Sequence, residues 1–409
     1  MAPLKFAAAL LGAFIFLLGP RVQAQVRLGN EVLATNHFKP LLGKRVGLIT
    51  NPSGVNRNLQ TTIDILRRAP GVKLVALFGA EHGIRGDVGA GQAVTNSVDA
   101  RTGLPVFSLY GKSRKPTRAM LTGLDALVYD IQDTGCRAYT FISTMGIAME
   151  ACAEAGIEFI VLDRPNPLGG ERVEGPLLNP RFRSFVGRWN VPYVYGLTCG
   201  ELARMINGER WIAQRCKLTV IPMANWKRSM VWRDTGLTWV PTSPHVPMGD
   251  SPMFQVATGM LGEIGGVNIA MHTTAPFQCV AAPWLAADKF CGVLNGYRLP
   301  GVRFDPVAYK SASGANRLLG AQIKFTEPHR APLTAINFYA LEAVKQLSGR
   351  DLFADAVREG RNFTMFDKVN GTDATRRDLQ AHRSAANIVK SWKPGEEVFR
   401  LLRKKYLLY

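Results

Sequence analysis

The sequence predicts an α/β fold in which a doubly wound parallel sheet is followed by a smaller C-terminal domain of mixed α+β structure. Short apolar runs rich in β-branched residues alternate with helical segments between residues 44 and 163. These runs are apolar at nearly every position, as in strands that are buried on both faces of a parallel sheet. Beyond a segment rich in Trp and Pro (225–252), helical patterns predominate. We therefore expect an N-terminal domain over residues 25–245 and a second domain over residues 246–409.

The strand predictions rest on composition and on the turn residues that bound each run. One helix is marked by "TCGE" (198–201), which is a capping box. The predicted strands are 45–50, 72–78, 126–131, 159–163 and 217–222, with 104–110 as a possible further strand and one near 301–306 in the second domain. The predicted helices are 62–68, 139–155, 198–207, 333–347, 352–359, 374–390 and 396–406.

The first 24 residues predict a cleaved export signal. Lys5 supplies a positive charge, residues 6–18 form an apolar run too short to span a bilayer, and residues 22–24 (VQA) have the small-residue pattern of a cleavage site. No later stretch of about 18 residues is uninterruptedly apolar, so we expect no stable membrane insertion. The expected location is the periplasm or the cell exterior.

The formal net charge is +19, and the basic residues are scattered along the chain. Without a nucleic-acid-binding motif, this charge does not predict nucleic acid as a partner, and an anionic substrate of the cell envelope fits it better. The six cysteines show neither C-x-x-C nor metal-type spacing. Buried free thiols remain one interpretation, and pairing of Cys199 with Cys216 or of Cys279 with Cys291 remains the other.

Polar, Gly- and Pro-rich loops follow four of the predicted strands. Because ligands of open α/β sheets bind outside the carboxyl ends of the strands, these loops predict a binding crevice. The most unusual loop is "FGAEHGIRGDVGAGQ" (78–92), which contains Glu81, His82 and Arg85 among several glycines. The side chains expected at the crevice are Asn51, Glu81, His82, Asp130, Gln132, Asp133, Asp163, Arg164 and Asn166.

Three kinds of chemistry are compatible with these loops. A phosphate-binding loop is disfavoured because the glycine spacing matches no phosphate-loop motif and Glu81 would repel an anion. A metal site could use Glu81, His82, Asp130 and Asp133, but no H-x-x-x-H or H-x-H spacing occurs, so we expect no metal and no cofactor.

The third possibility is glycosidic-bond cleavage, in which one carboxylic acid protonates the leaving oxygen and a second carboxylate activates water or attacks carbon. Glu81 together with Asp130 and Asp133 suits that division of roles. The alternative is that Glu81 and Asp133 only bind backbone N–H groups or Arg85 and Arg137. Trp226, Trp232 and Trp239 could stack on a sugar or could pack the domain junction.

Long motifs in this chain resemble, in order, those of the exo-β-N-acetylmuramidases of the NamZ type. They are FGAEHGIRG, YDIQDTGCRAYT, VLDRPNPLGG with VEGPLL after it, FRSFVG, NGTD and a closing YLLY. The resemblance implies a Rossmann-like N-terminal domain, a smaller C-terminal domain and a cleft between them. It also implies release of N-acetylmuramic acid from the non-reducing end of peptidoglycan fragments or muropeptides. By the same resemblance, Glu81 corresponds to the family's catalytic glutamate, and Asp130 and Asp133 to the aspartates of its D-I-Q-D motif.

The sequence departs from the family pattern at two places. Ile269 and Met271 stand where a glutamate and an arginine are expected, and Val194 and Tyr195 stand where an Arg-His pair is expected. These changes remove natural partners for the lactyl carboxylate of muramic acid. If Ile269 and Met271 line the cleft, Arg85, Arg137 or Arg164 would have to supply the missing cation. A catalytically altered or inert relative that binds peptidoglycan or another amino sugar is therefore the alternative.

Overall fold

The structure is a computed structural model that describes residues 25–86, 88–89, 91–93, 95–311, 314 and 316–409. The predicted export signal and its cleavage site lie outside the described residues. No helix in the described part of the chain is long and apolar enough to cross a membrane.

A seven-stranded, mostly parallel sheet forms the N-terminal domain, as the sequence predicts. Its strands are β1 (Arg45–Thr50), β2 (Lys73–Gly79), β3 (Ser97–Val98), β4 (Pro105–Ser108), β5 (Ala126–Asp130), β6 (Glu158–Leu162) and β7 (Leu218–Ile221). They lie in the order β3-β4-β2-β1-β5-β6-β7. Only β3 is antiparallel to its neighbour. The possible strand at 104–110 is confirmed as β4, whereas β3 is too short to give a sequence pattern.

Both faces of this sheet are buried, because alternate residues of a strand point to opposite faces. In β5, Ala126 and Val128 belong to the core on one face, and Leu127 and Tyr129 belong to the core on the other. The helices of this domain are α1 (Gly29–Thr35), α2 (Thr62–Arg68), α3 (Arg118–Leu121), α4 (Phe141–Ala155) and α5 (Cys199–Gly208). The capping box predicted for α5 is present, with Thr198 as the N-cap and Glu201 three residues later.

The second domain contains more strands than its sequence predicts. Its antiparallel sheet consists of β8 (Cys279–Ala282), β9 (Val302–Lys310) and β10 (Arg317–Phe325), in the order β8-β10-β9. Its helices are α6 (Ser251–Gly262), α7 (Ala287–Gly296), α8 (Leu333–Ser348), α9 (Leu352–Arg358), α10 (Thr364–Asn370), α11 (Ala374–Gln380) and α12 (Ala385–Arg403). The prediction of one helix over 374–390 is wrong: His382 adopts a positive φ of 59°, and Ser384 caps a new helix.

The C-terminus returns to the first domain. Phe399 and Tyr406 pack in the core on one face of the large sheet. The buried Arg403 donates hydrogen bonds to backbone carbonyls that include those of Gly170 and Tyr195. The two domains are thus joined by buried polar contacts as well as by the connecting segment.

Candidate active site

Glu81 lies two residues beyond β2, at the carboxyl edge of the large sheet. Its Oε2 accepts a hydrogen bond of 2.6 Å from the Thr140 hydroxyl, and its Oε1 accepts one of 3.0 Å from the Gly91 N–H. The residue is 8% exposed. Both carboxyl oxygens are therefore fixed by donors while the group stays at the rim of the domain. This is the rigid placement that proton transfer to a bound substrate requires.

Two tyrosines flank Glu81. Burial, followed by the neighbouring Glu81 carboxylate, raises the pKa of Tyr110, and Arg114 opposes that rise. The Tyr139 hydroxyl donates to Thr242 Oγ1 at 2.9 Å. Burial raises the pKa of Tyr139, and both Asp133 and Glu81 add to the increase. Tyr139 therefore lies within electrostatic reach of two of the three predicted catalytic carboxyl groups.

Asp133 is buried, and one of its carboxyl oxygens has no protein partner among the described residues. Its Oδ2 accepts hydrogen bonds from the Tyr195 hydroxyl and, at 2.7 Å, from the Gly135 N–H. Burial raises the pKa of Asp133 to about 6, although these hydrogen bonds lower it. Its Oδ1 has no hydrogen-bond partner among the described residues, and the same holds for Asn51 Nδ2, Gln132 Oε1 and Thr134 Oγ1. Because buried polar atoms are normally paired, this set is suited to a polar ligand.

Asp130 and Arg164 form a buried ion pair. Asp130 is 0% exposed, and Arg164 Nε and Nη2 donate to its two oxygens at 2.5 and 3.0 Å. The hydroxyl of Thr62 and the amide of Asn30 also donate to Asp130. These partners enclose the carboxylate on all sides. The contacts favour a structural role for Asp130 and Arg164, in place of the catalytic and substrate-binding roles that the sequence predicts.

The remaining predicted residues are divided between the rim and the interior. His82 has a φ of 72°, and its Nδ1 lies 2.9 Å from the Val88 carbonyl oxygen, which makes it part of the Glu81 loop. Arg85 pairs with Asp99 at 2.6 Å. Three further side chains are held inside the protein by hydrogen bonds. Asp163 accepts from Thr198, Gly200 and Tyr409, and Asn166 bonds to the backbone of Leu168 and Leu197. Arg137 donates to the carbonyls of Pro176, Val191 and Val369.

Two histidines that the sequence did not indicate form a pair, and one of them, His245, lies within electrostatic reach of His82. The rings of His245 and His272 are 5.4 Å apart in an edge-to-face arrangement. Burial, then His272 and His82, lower the pKa of His245. His245 lies between β7 and α6 and His272 between α6 and β8, so the connection to the second domain contributes to this region. Their isolated positions gave no spacing signal, and Tyr110 and Thr140 were missed because each is a single polar residue after an apolar or mixed segment.

The departures from the family pattern have clear structural positions. Ile269 is 8% exposed and packs in the core of the second domain, where Met271 is half-buried against the same core. The condition that Ile269 lines the cleft is therefore not met, because its side chain belongs to the core of the second domain. Val194 is fully buried, and Tyr195 supplies the hydroxyl that binds Asp133.

The cysteines and two of the three tryptophans named in the sequence analysis are buried by packing. All six cysteines are buried and free. Trp226 and Trp232 are buried, against Tyr409 and Trp239 respectively, so they do not form a sugar-stacking wall. Among the described residues, no group of three or more His, Cys, Asp or Glu side chains could hold a metal ion.

Asp163 gives a prediction about stability and pH. Burial raises its pKa to about 6 in the folded chain, from an ordinary value of 3.8. Between about pH 4 and pH 6 the folded state therefore holds a proton that the unfolded chain has lost, and rising pH removes stability. Asp163→Asn cannot titrate, so its stability deficit relative to the wild type should shrink by up to about 3 kcal/mol across this range. Urea unfolding at pH 4 and 7 measures it, and a deficit that grows with pH would contradict it.

A carboxylate fixed at the carboxyl edge of a doubly wound sheet, with further carboxyl and amide side chains at the ends of neighbouring strands, defines a candidate site for acid-base hydrolysis of a polar substrate. The family model of the exo-β-N-acetylmuramidase NamZ N-terminal domain matches residues 46–250, and that of the NamZ C-terminal domain matches residues 256–409. The chain belongs to this family of glycoside hydrolases.

Individual relatives agree with the family models over nearly the whole chain. The peptidoglycan β-N-acetylmuramidase NamZ of Bacillus subtilis is 41% identical over 390 residues, which cover 94% of this chain and 92% of the relative. The crystal structure of a DUF1343 family protein from Bacteroides fragilis is 47% identical, with a TM-score of 0.88, and covers 95% of this chain and 100% of its own. A second from that organism is 29% identical, with a TM-score of 0.72, and the coverages are 94% and 99%.

Proposed function

We propose that this chain is an exo-acting glycoside hydrolase that releases N-acetylmuramic acid from the non-reducing end of peptidoglycan fragments in cell-wall turnover. The observation that carries the proposal is the Glu81 carboxylate, which Thr140 and Gly91 fix at the carboxyl edge of the sheet in a chain of this family. The strongly basic composition agrees with an anionic cell-wall substrate. We expect muropeptides to be among these fragments.

In this proposal Glu81 exchanges a proton with the glycosidic oxygen, and Tyr110 and Tyr139 bound the space beside it. Asp133 is buried, so we assign it a substrate-binding role in place of the catalytic role that an exposed carboxylate would take. Its Oδ1 is buried without a protein partner in the described part of the chain, as are Asn51 Nδ2 and Gln132 Oε1, so we assign it a hydrogen bond from a hydroxyl or amide of the bound sugar. The carboxyl group would thereby orient the substrate relative to Glu81.

The test compares two disaccharides of opposite order. We expect the chain to release N-acetylmuramic acid from N-acetylmuramyl-N-acetylglucosamine and to leave N-acetylglucosaminyl-N-acetylmuramic acid intact, with mass spectrometry as the readout. The second candidate function is an inert peptidoglycan binder, which is favoured by the burial of Asp130 and Asp133. Retained binding to peptidoglycan without cleavage of either disaccharide would establish the binder and exclude the hydrolase.

We also propose that the chain is exported to the periplasm or secreted. The support is the predicted signal over residues 1–24, with its short apolar run and small-residue site. The exported form is expected to begin at about Gln25, and mass analysis of its N-terminus measures this. Recovery of the chain in the membrane fraction with Met1 intact would contradict export by a cleaved signal.

A further inference from the structure

The three arginines that the sequence offers for an anionic substrate group are all engaged elsewhere. Arg85 pairs with Asp99, Arg164 pairs with Asp130, and Arg137 donates only to backbone carbonyls. Breaking any of these contacts would leave a buried group unpaired, which is costly. Arg85 keeps an exposed edge, but its charge is already balanced by Asp99, so a cation without an ion pair is the better partner for a carboxylate on the substrate.

Arg114 is an exposed arginine on the loop between β4 and α3. Its guanidinium carbon lies 4.3 Å from the centre of the Phe185 ring and 5.5 Å from the centre of the Tyr110 ring. The two rings are themselves 5.7 Å apart. Within the described residues, the Arg114 side chain makes no hydrogen bond and no ion pair, so its N–H donors are available to a ligand.

This cluster is connected to Glu81 through a single side chain. Tyr110 lies against Arg114 by its ring, and its hydroxyl is beside Glu81, whose carboxylate adds to the rise in the Tyr110 pKa. Phe185 belongs to the FRSFVG segment, one of the motifs that define the family resemblance. The free cation and the candidate catalytic carboxylate thus lie on the same rim of the sheet, separated by one tyrosine.

We propose that Arg114, held over Tyr110 and Phe185, binds the carboxylate carried by the O3 lactyl arm of the muramoyl residue. This proposal rests on the hydrolase function proposed above and adds the residue that determines which sugar is bound. The carboxylate is either the lactyl carboxyl itself or, where a peptide caps the lactyl group, a carboxylate of that peptide. A planar guanidinium can bind a carboxylate with two parallel hydrogen bonds, and the aromatic faces keep it oriented while leaving its edge free.

The geometry assigns the two parts of the substrate to two places. The glycosidic oxygen is placed at Glu81, and the lactyl arm is directed across Tyr110 to Arg114. N-acetylglucosamine has no lactyl arm, so it gains nothing from this contact. Arg114 would in this way discriminate muramic acid from glucosamine without the arginine and histidine that the family pattern leads one to expect at 194–195 and 269–271.

The experiment measures binding of N-acetylmuramic acid and of its methyl ester by calorimetry. The wild type should bind the acid about tenfold more tightly than the ester, as expected for one charge-assisted contact that is partly exposed. Arg114→Gln should bind both equally, and Arg114→Lys should keep part of the preference. Arg67→Gln is the matched control, because Arg67 is an exposed arginine near the C-terminal end of α2, at the opposite edge of the sheet.

A muramoyl dipeptide, in which the lactyl carboxyl is an amide, separates the two sources of charge. If Arg114→Gln loses affinity for the dipeptide, the group that Arg114 binds is the peptide carboxylate. If the affinity is unchanged, the group is the lactyl carboxylate. A preference for the acid that survives in Arg114→Gln overturns the proposal, as does equal weakening of acid and ester. Because binding is measured without turnover, a wild type that binds the acid selectively but cleaves no disaccharide would refute the hydrolase function and retain the Arg114 assignment.

Discussion

Glu81→Gln is expected to lower kcat for release of N-acetylmuramic acid by about 10²–10⁴-fold, with a much smaller effect on KM. The amide keeps the shape of the side chain but cannot exchange the proton that the leaving oxygen requires. The fold should be retained, because the Thr140 hydroxyl that donates to Glu81 can rotate to accept from the amide. Initial rates on a muramyl disaccharide, together with the unfolding midpoint, measure the two effects separately.

Glu397→Gln is the control for this change. Glu397 is an exposed glutamate on α12 whose only described ion pair is with Arg400. The Glu397→Gln substitution removes the same charge, and the reaction rates of this variant should equal those of the wild type. Near-normal turnover of Glu81→Gln with an intact fold would make Glu81 a structural loop residue, and the proton would have to come from another group, with Tyr110 and the adjacent His82 the first to examine.

The large sheet could be predicted from sequence because its strands are apolar on both faces. A short run that is apolar on both faces does not fit a surface helix, and every strand longer than two residues in this sheet was predicted. The second domain gave weaker patterns. The strand predicted near 301–306 is confirmed as β9, although its exposure at alternate positions hid its full length, whereas β8, with only four residues, and β10 were not predicted. β8 pairs with β10 across distant segments of the chain (Cys279 with Gln322), a contact that no local pattern records, whereas β9 and β10 are consecutive antiparallel strands that pair from Lys310 and Arg317 onward.

The position of Glu81 could be predicted, but the burial of Asp130 could not. Glu81 comes two residues after β2 ends, where the chain has left the sheet. Asp130 is the last residue of β5, and it still pairs in register with Thr50 of β1. Asp163 follows β6 directly, but its N–H still donates to the Ile221 carbonyl. A shift of one or two residues in the end of a strand thus separates a rim carboxylate from an interior one, and sequence patterns do not locate strand ends that finely.

The contributions from distant segments could not be predicted for a different reason. Thr242 and His245 come from the connection between domains, and Phe185 comes from a surface loop after β6. Each is a single residue without a spacing pattern, and its contact with Tyr139, with the His82 region or with Tyr110 arises only from the way the loops fold back over the sheet. The resemblance to the family marked some of these segments, such as FRSFVG, without giving their contacts.

The second large effect is expected on stability. Asp130→Asn should lower the free energy of unfolding by about 3–5 kcal/mol, because it leaves the buried Arg164 without a compensating charge. Urea unfolding at neutral pH measures this. The exposed pair of Asp378 and Arg383 offers a control of the same chemistry, and Asp378→Asn should cost at most about 1 kcal/mol.

A double variant separates loss of charge balance from loss of a catalytic group. Asp130→Leu combined with Arg164→Met removes both charges, and Asn30 and Thr62 can still hydrogen-bond to each other at 2.9 Å. Replacing both members of a buried ion pair by apolar residues is often close to neutral, so the double variant should regain much of the stability that Asp130→Asn loses. If Asp130 is structural, the refolded double variant should also recover turnover. A stable double variant with no turnover would instead return Asp130 to the catalytic role that its D-I-Q-D motif implies.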